Sequence, residues 1–386
     1  MSVTAAAGFR AAGTTAGLKP SGKPDVAVVV NDGPKHEAAA VFTANRVAAA
    51  PVLWSRQAAS DGRADAVVLN SGGANAATGH QGFQDAHRTA EHAAAALGCS
   101  AGDVLVCSTG LIGEPLDMDR LLPGVDAAVA GLDAEGGAAA AEAIMTTDTR
   151  AKESRVDGTG YTVGGMAKGA GMLAPGLATM LAVVTTDADL PASALRLALE
   201  RAVATTFNRA DSDGCMSTND TVVLMASGAS GTTPDPDEFA AAVTRVCADL
   251  ARQMVGDAEG AQHDIAVRVV NAENEEAAEA VARAVSRSNL FKTAVFGQDP
   301  NWGRVISAVG TVPESVAAFD ATALDVSFNG VQVCRSSGVG EDRALVDLTA
   351  REVRVEIDLH AGDAEATVWT NDLTHDYVHE NSAYST

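Results

Sequence analysis

Lys168 opens the stretch of greatest chemical interest, Lys168-Gly-Ala-Gly-Met-Leu-Ala-Pro-Gly-Leu-Ala-Thr179. The apolar run Met180–Val184 follows directly and is typical of a buried strand. A cut between Ala178 and Thr179 would make Thr179 an N-terminal residue, whose α-amine has a pKa of about 7.7–8.0. Such an amine can take the hydroxyl proton of Thr179 and make it a nucleophile. On pattern alone, a threonine that merely starts a core strand is the preferred interpretation.

The glycines of this stretch also fit a second chemistry. The run Gly169-Ala-Gly-Met-Leu-Ala174 matches G-x-G-x-x-A, the pattern of a dinucleotide-binding loop. A loop of that kind opens a helix. Here Pro175 and Gly176 intervene and a strand pattern follows, so a dinucleotide loop is disfavoured.

Thr109 and Gly110 follow a predicted strand, Asp103–Val106. Acyl transfer needs hydrogen-bond donors aimed at the oxyanion that develops on the carbonyl, commonly a hydroxyl and a backbone N–H. Thr109 and Gly110 can supply both. An ordinary turn explains the same residues and stays the alternative.

Two other polar stretches admit a binding role. Asn70–Gly79 carries two amides and three glycines after a predicted strand, and it either lines a pocket or forms a loop. Glu259 lies at the end of a long predicted helix, where a solvated acid is the usual case.

The predicted elements that position these residues mix strands and helices without strict β-α-β alternation, which favours an α+β or layered α/β fold. The predicted strands include Ala66–Asn70, Asp103–Val106, Met180–Val184, Thr221–Met225, Val52–Trp54 and Leu345–Leu348. The main helices are Gln81–Leu97 and Glu238–Val255, and Tyr377–Thr386 is predicted to be a polar tail. No linker divides the chain.

Composition narrows the function classes. The 386 residues are 47% hydrophobic, and no apolar stretch approaches the ~18 residues that a membrane span needs. The N-terminus lacks the apolar region of a signal peptide, so the cytoplasm is expected. The five cysteines are scattered without a C-x-x-C pair, which predicts reduced thiols and no zinc site.

The charge is strongly negative and uneven. The net charge is −23, which argues against nucleic acid and anionic membranes as partners. Residues 1–178 hold 13 basic and 18 acidic side chains, a net −5, whereas residues 179–386 hold 14 and 32, a net −18. Any site for an acidic metabolite must therefore rely on a few local cations.

Taken together, these stretches resemble the ornithine acetyltransferase family (glutamate N-acetyltransferase, ArgJ type). The resemblance covers essentially the whole chain, and its block around Lys168–Thr179 is very specific. The matching runs are Asn70–Gly79, Cys107–Gly113, Ile144–Thr149, Gly164–Thr186, Ser217–Thr221, Asp257–Gly260, Asp299–Arg304 and Glu380–Thr386.

The resemblance implies a layered α/β/β/α sandwich and self-cleavage between Ala178 and Thr179. The products would be an α chain (1–178) and a β chain (179–386), intertwined and associated as an α2β2 heterotetramer. Thr179 would be the nucleophile, with Thr109 and Gly110 as the oxyanion hole. The implied substrate contacts are Thr146 or its neighbour Thr147, Lys168, Thr179, Glu259, Asn381 and Thr386.

The implied reaction moves an acetyl group from N-acetylornithine to glutamate through an acetyl ester of Thr179. No metal and no cofactor are expected, and acetyl-CoA stays open as a second acetyl donor. The alternatives are a self-cleaving aminopeptidase or amidase of similar fold, an acyltransferase of a specialised pathway, and a metabolite-binding regulator.

Overall fold

The computed structural model describes residues 3–174 and 180–383. The chain divides into two compact units. The first unit comprises Met1–Asn208 and Cys215–Asp257, and the second comprises Arg209–Gly214 and Ala258–Ser385. The predicted Ala178/Thr179 cleavage position lies within the sequence of the first unit, so the units differ from the predicted α and β chains.

The elements of the first unit are nine strands and six helices within the described residues. The strands are β1 (Phe9–Thr14), β2 (Val26–Asn31), β3 (Glu37–Phe42), β4 (Ala66–Asn70), β5 (Val104–Ser108), β6 (Lys152–Gly158), β7 (Tyr161–Lys168), β8 (Leu181–Thr186) and β9 (Thr221–Ala226). The helices are α1 (Ala50–Ala58), α2 (Gly79–Leu97), α3 (Met118–Ala130), α4 (Gly137–Ala143), α5 (Ala192–Thr205) and α6 (Pro236–Val255).

These strands form two sheets, in the orders β1-β2-β4-β5 and β3-β9-β8-β7-β6. The pairs β4/β5 and β8/β9 are parallel and the other pairs are antiparallel. All residues of β2, β4, β5, β8 and β9 are buried. Their near-continuous apolar sequences are those of strands covered on both faces.

The two sheets pack face to face. Val29 and Leu69 of the first sheet share one core with Met166 and Val183 of the second. The neighbouring strand residues, whose side chains point the opposite way, pack with α2 and α3 in a separate core. On the second sheet, α6 packs closely over Gly165. The first unit is therefore an α/β/β/α sandwich, and the predicted fold class is confirmed.

Strand β8 confirms the predicted buried strand after Thr179. It pairs with β7 on one side, in the register Lys168↔Leu181, and with β9 on the other, in the register Leu181↔Thr221. Strands on either side of the predicted cleavage position therefore share one sheet, as intertwined chains require. Ala178 and Thr179 themselves lie outside the described residues.

Two local predictions are wrong. Val52–Trp54 belongs to helix α1, which begins at Ala50. Pro51 lies in the first turn of this helix, a position that suits proline. Leu345–Leu348 is no strand: Arg343–Leu345 is a 3-10 turn, and Leu345 is exposed. The predicted polar tail that begins at Tyr377 is helical as far as Ala383, since His375–Ala383 forms a helix without buried residues. Short apolar runs carry too little periodicity to separate these states.

The second unit is built on a sheet of order β13-β12-β11-β14-β10-β15. Its strands are β10 (Asp264–Ala272), β11 (Asp325–Phe328), β12 (Val331–Arg335), β13 (Gly338–Val339), β14 (Glu352–Asp358) and β15 (Ala364–Asn371), and its helices are α7 (Glu275–Ser286), α8 (Asn289–Phe296), α9 (Trp302–Val309) and α10 (His375–Ala383). Val267, Val355 and Val281 lie in its core. In residues 3–174 and 180–383, no helix is long and apolar enough to cross a bilayer.

Candidate active site

Thr109 lies at the end of β5 and is held by the loop that follows β4. Its N–H donates to the Asn70 carbonyl at 2.9 Å, and its carbonyl accepts from the Gly73 N–H at 3.0 Å. The side chain is buried, with 4% of the residue exposed. The glycine- and amide-rich run Asn70–Gly79 therefore holds the backbone of Thr109, the predicted oxyanion-hole residue, in place.

Gly110 has a backbone conformation that favours glycine, with φ at +130°. A Cβ atom at this position would lie 2.8 Å from the Gly73 nitrogen, closer than real contacts allow. A side chain here would thus clash with the backbone that fixes Thr109. Glycine is therefore required at this position by the close approach of the Gly73 backbone.

Lys168 ends strand β7 and is 2% exposed. Its ammonium donates to the Thr109 hydroxyl oxygen, with 3.2 Å between Nζ and Oγ1. The fold thus brings a predicted substrate contact against a predicted oxyanion-hole residue. A hydroxyl that accepts from an ammonium keeps its own hydrogen for another acceptor.

Asp148, which the sequence analysis did not single out, organises the surroundings of Lys168. Its carboxylate accepts from the N–H of Thr146 at 2.9 Å, from the N–H of Gly169 at 2.7 Å and from the Lys152 ammonium at 2.6 Å. Burial opposes ionisation, but the charges of Lys168 and Lys152 and the hydrogen bonds outweigh it and lower the Asp148 pKa to about 2. Asp148 is therefore an ionised anchor for two loops.

A second buried carboxylate completes this network. The Lys152 ammonium, which is fully buried, also lies 2.5 Å from Asp257. Asp257 in turn accepts from the N–H of Thr149 at 3.0 Å and from its hydroxyl. In the sequence, the sign of this network is the run Ile144–Thr149, in which Asp148 lies among threonines. The run does not reveal the contact with Asp257, because Asp257 is distant in the chain.

Thr146 and Thr147 are both half-buried. Thr146 lines a cavity of about 570 Å³, which also carries the basic side chains of Lys19, Lys23 and Arg150. Burial lowers the pKa of Lys19 to about 8. Which threonine contacts a substrate stays a prediction.

The loop before β9 connects the predicted oxyanion hole to the start of β8. The Asn219 amide donates to the carbonyls of Ala74 at 2.6 Å and Ser108 at 2.7 Å. The next residue, Asp220, accepts from the Met180 N–H at 3.0 Å. This loop belongs to the run Ser217–Thr221 that resembles the family, and its sequence pattern predicts no role for Asn219 or Asp220.

Glu259 and Asn381 belong to the second unit and contact each other. The Asn381 amide donates to the Glu259 carboxylate at 3.0 Å. Glu259 also lines a cavity of about 280 Å³ within this unit. The other charged side chains that line this cavity are Asp213, Arg287, Lys292 and Asp372.

Three predicted site residues, Ala178, Thr179 and Thr386, lie outside the described residues. For metals, the part of the chain that the structure describes contains no group of three or more His, Cys, Asp or Glu side chains arranged to hold an ion. Thr109, Gly110 and Lys168 are the predicted residues that the first unit gathers at its strand ends.

The first unit thus has a fold of the layered α/β/β/α class, with Thr109, Gly110 and Lys168 together at its strand ends. The chain belongs to the ArgJ family, whose model matches residues 10–386. A protein of Streptomyces coelicolor named arginine biosynthesis bifunctional protein ArgJ is 64% identical over 385 residues, and 100% of each chain is covered. A Thermobifida fusca protein of the same name is 62% identical over 386 residues, again with 100% of each covered.

Solved structures of similar proteins match parts of the chain. A Mycobacterium tuberculosis ornithine acetyltransferase crystallised with ornithine is 54% identical and covers 47% of this chain and 96% of that one, with a TM-score of 0.45. A Bacillus halodurans arginine biosynthesis bifunctional protein is 36% identical, with 52% and 97% covered and a TM-score of 0.48.

Proposed function

We propose that the protein is a glutamate N-acetyltransferase of arginine biosynthesis. It takes the acetyl group of N2-acetyl-L-ornithine and passes it to L-glutamate, which yields L-ornithine and N-acetyl-L-glutamate. Relatives at 64% and 62% identity over the full chain carry an arginine-biosynthesis name, which supports a biosynthetic enzyme acting on small molecules. The observation that carries the proposal is the buried contact between Lys168 and Thr109 at the sheet ends.

The precursor cleaves itself between Ala178 and Thr179 in this proposal. The α chain (1–178) and the β chain (179–386) remain together, as an α2β2 heterotetramer. Pairing of β7 with β8 supports this association, because six register pairs link strands from the two chains. The freed α-amine of Thr179 then acts as the general base, since its pKa of about 7.7–8.0 suits neutral pH.

In the first half-reaction, the Thr179 hydroxyl oxygen attacks the acetyl carbonyl carbon of N-acetylornithine. The α-amine takes the hydroxyl proton and gives it to the leaving nitrogen as the amide C–N bond breaks. Thr109 and Gly110 donate to the oxyanion. The contact from Lys168 supports this role, because it occupies a lone pair of the Thr109 oxygen and leaves the hydroxyl hydrogen to donate.

In the second half-reaction, the amine of glutamate attacks the acetyl ester on Thr179. That amine loses a proton, the ester C–O bond breaks and the hydroxyl of Thr179 is restored. Both substrates carry an α-carboxylate, for which the compact charge of Lys168 is suited. The Glu259 carboxylate suits the side-chain ammonium of ornithine, and a cavity with charges of both signs beside Glu259 supports an amino-acid ligand there.

Transfer needs no metal or cofactor in this scheme, and acetyl-CoA is a second donor to test. The alternative, a self-cleaving aminopeptidase or amidase, would pass the acyl group to water. Release of free acetate is therefore measured beside N-acetylglutamate, with acetylornithine or acetyl-CoA as donor. Acetate formed faster than N-acetylglutamate at saturating glutamate would favour the hydrolase.

Intact-mass measurement of the wild type and of Thr179→Ala tests the cleavage and the nucleophile together. The wild type is expected as two fragments that divide before Thr179, and the variant as one inactive full-length chain. Thr185→Ala is the matched control, because it removes a hydroxyl from strand β8, where Thr185 donates to the Val3 carbonyl. An uncut wild type with full activity would refute the mechanism.

A further inference from the structure

Asp220 is fully buried and stands immediately before strand β9. The parallel pairing of β8 with β9 begins at Leu181↔Thr221. Met180, which precedes the first paired residue of β8, is also bonded to this neighbouring chain segment. Its carbonyl accepts from the Thr221 N–H at 3.2 Å, and its N–H donates to Asp220 Oδ1 at 3.0 Å. A side chain therefore extends the sheet hydrogen bonding to the first described residue of this segment.

The loop before β9 also forms hydrogen bonds beside the predicted oxyanion hole. Asn219 is 5% exposed, and its amide nitrogen donates to the Ser108 carbonyl, directly before Thr109, and to the Ala74 carbonyl. Two consecutive side chains thus fix the end of β5 and the start of β8.

The second carboxyl oxygen of Asp220, Oδ2, is buried and has no donor within hydrogen-bond distance among the described residues. A buried polar atom of this kind needs an explanation. Burial strongly raises the pKa of Asp220, and the Met180 N–H, the nearby Ser217 hydroxyl and the charge of Lys168 oppose this rise.

We propose that Asp220 is a positioning residue for the nucleophile, with Oδ1 anchoring Met180 and Oδ2 accepting from the α-amine that cleavage creates on Thr179. Three covalent bonds separate that amine nitrogen from the Met180 nitrogen, so the two lie within about 4 Å. The inference rests on the proposed function, since it requires cleavage before Thr179. The positive charge of the protonated amine favours ionisation of Asp220 against the effect of burial, and the carboxylate in turn stabilises the charged amine. In the neutral amine, donation of an N–H to Oδ2 orients the remaining lone pair.

Asp220→Asn is the decisive variant, because it keeps an oxygen for the Met180 N–H but replaces the other oxygen with a donor. We expect it to be cleaved and to lose about 10- to 100-fold in kcat, with KM for both substrates changed less than about 3-fold. The acidic limb of the kcat/KM profile should move to lower pH by about 1 unit, because removal of a carboxylate lowers the pKa of a neighbouring amine.

Asp187→Asn is the matched control at the other end of β8. Asp187 is also buried and accepts from the N–H groups of Ala7 at 3.0 Å and Thr162 at 2.8 Å. Its variant measures what the loss of a buried carboxylate does to the fold alone. If Asp220→Asn is too unstable to purify, Asp220→Glu keeps the charge, and we expect a lower kcat with the acidic limb unmoved.

The inference is overturned if Asp220→Asn and the control Asp187→Asn show the same kcat and the same pH profile. It is also overturned by a stable but uncut Asp220→Asn chain, because the carboxyl would then act before the amine exists. For Asp220→Glu, an acidic limb displaced as far as about 1 unit would also overturn it. The proposed function fails on a different result, an uncut and active wild type.

Discussion

Replacement of Asp148 by asparagine tests whether one buried carboxylate holds the loops around Lys168. The variant keeps the shape of the side chain but removes the charge that Lys152 and the N–H groups of Thr146 and Gly169 contact. We expect a loss of both stability and activity. The activity falls because the backbones on either side of the predicted substrate contacts are no longer fixed.

The magnitude follows from the pKa of Asp148. Burial works against the charged form, yet Lys168, Lys152 and the hydrogen bonds bring the pKa from 3.8 to about 2. A difference of that size between the unfolded and folded states corresponds to about 2 kcal/mol of stability at pH 7. Since the folded-state pKa is the lower one, this stability is complete above about pH 5, and roughly half of it is lost by pH 3.

Urea unfolding of the wild type and of Asp148→Asn between pH 7 and 3 provides the measurement. The gap in unfolding free energy should be at least about 2 kcal/mol at pH 7 and shrink by about 1 kcal/mol at pH 3. Asp157→Asn is the control, because its ion pair with Arg155 is exposed and such pairs contribute about 0–1 kcal/mol. A gap that stays constant with pH, or that equals the control's, would refute the reasoning.

Three further predictions concern single sites. Gly110→Ala should lower kcat at least about 10-fold, while Gly113→Ala, which shares a positive φ but meets no atom within 4 Å, should retain most activity in the same assay. Glu259→Gln should raise KM for acetylornithine by about 10-fold and leave acetylglutamate nearly unaffected; equal losses would exclude an ammonium contact. A thiol reagent at pH 8 should modify the exposed Cys215 quickly and the buried Cys107 only after unfolding, because burial raises the Cys107 pKa to about 12. Mass spectrometry of the labelled protein over time gives the order in which the two thiols react.

Much of the sandwich was predictable because its central strands are short apolar runs between turn residues. Ala66–Asn70 and Thr221–Met225 were predicted to within one residue of the observed strands. Strand β6 was missed, since it mixes charged and apolar residues at a half-exposed sheet edge. The division into two units was missed as well, because no linker composition marks the boundary at Asn208 or at Asp257.

The sequence by itself determined the family resemblance, the threonine before a buried strand and the Thr109-Gly110 pair after another. These are local patterns, which a few neighbouring residues define. Tertiary structure alone decided that Lys168 meets Thr109, 59 positions away, and that Asn219 reaches Ser108, 111 positions away. Sheet order and register set such contacts, and they depend on how strands from distant segments pair. The anchors Asp148 and Asp220 emerged only there, because a buried carboxylate and a solvated one look alike in a sequence.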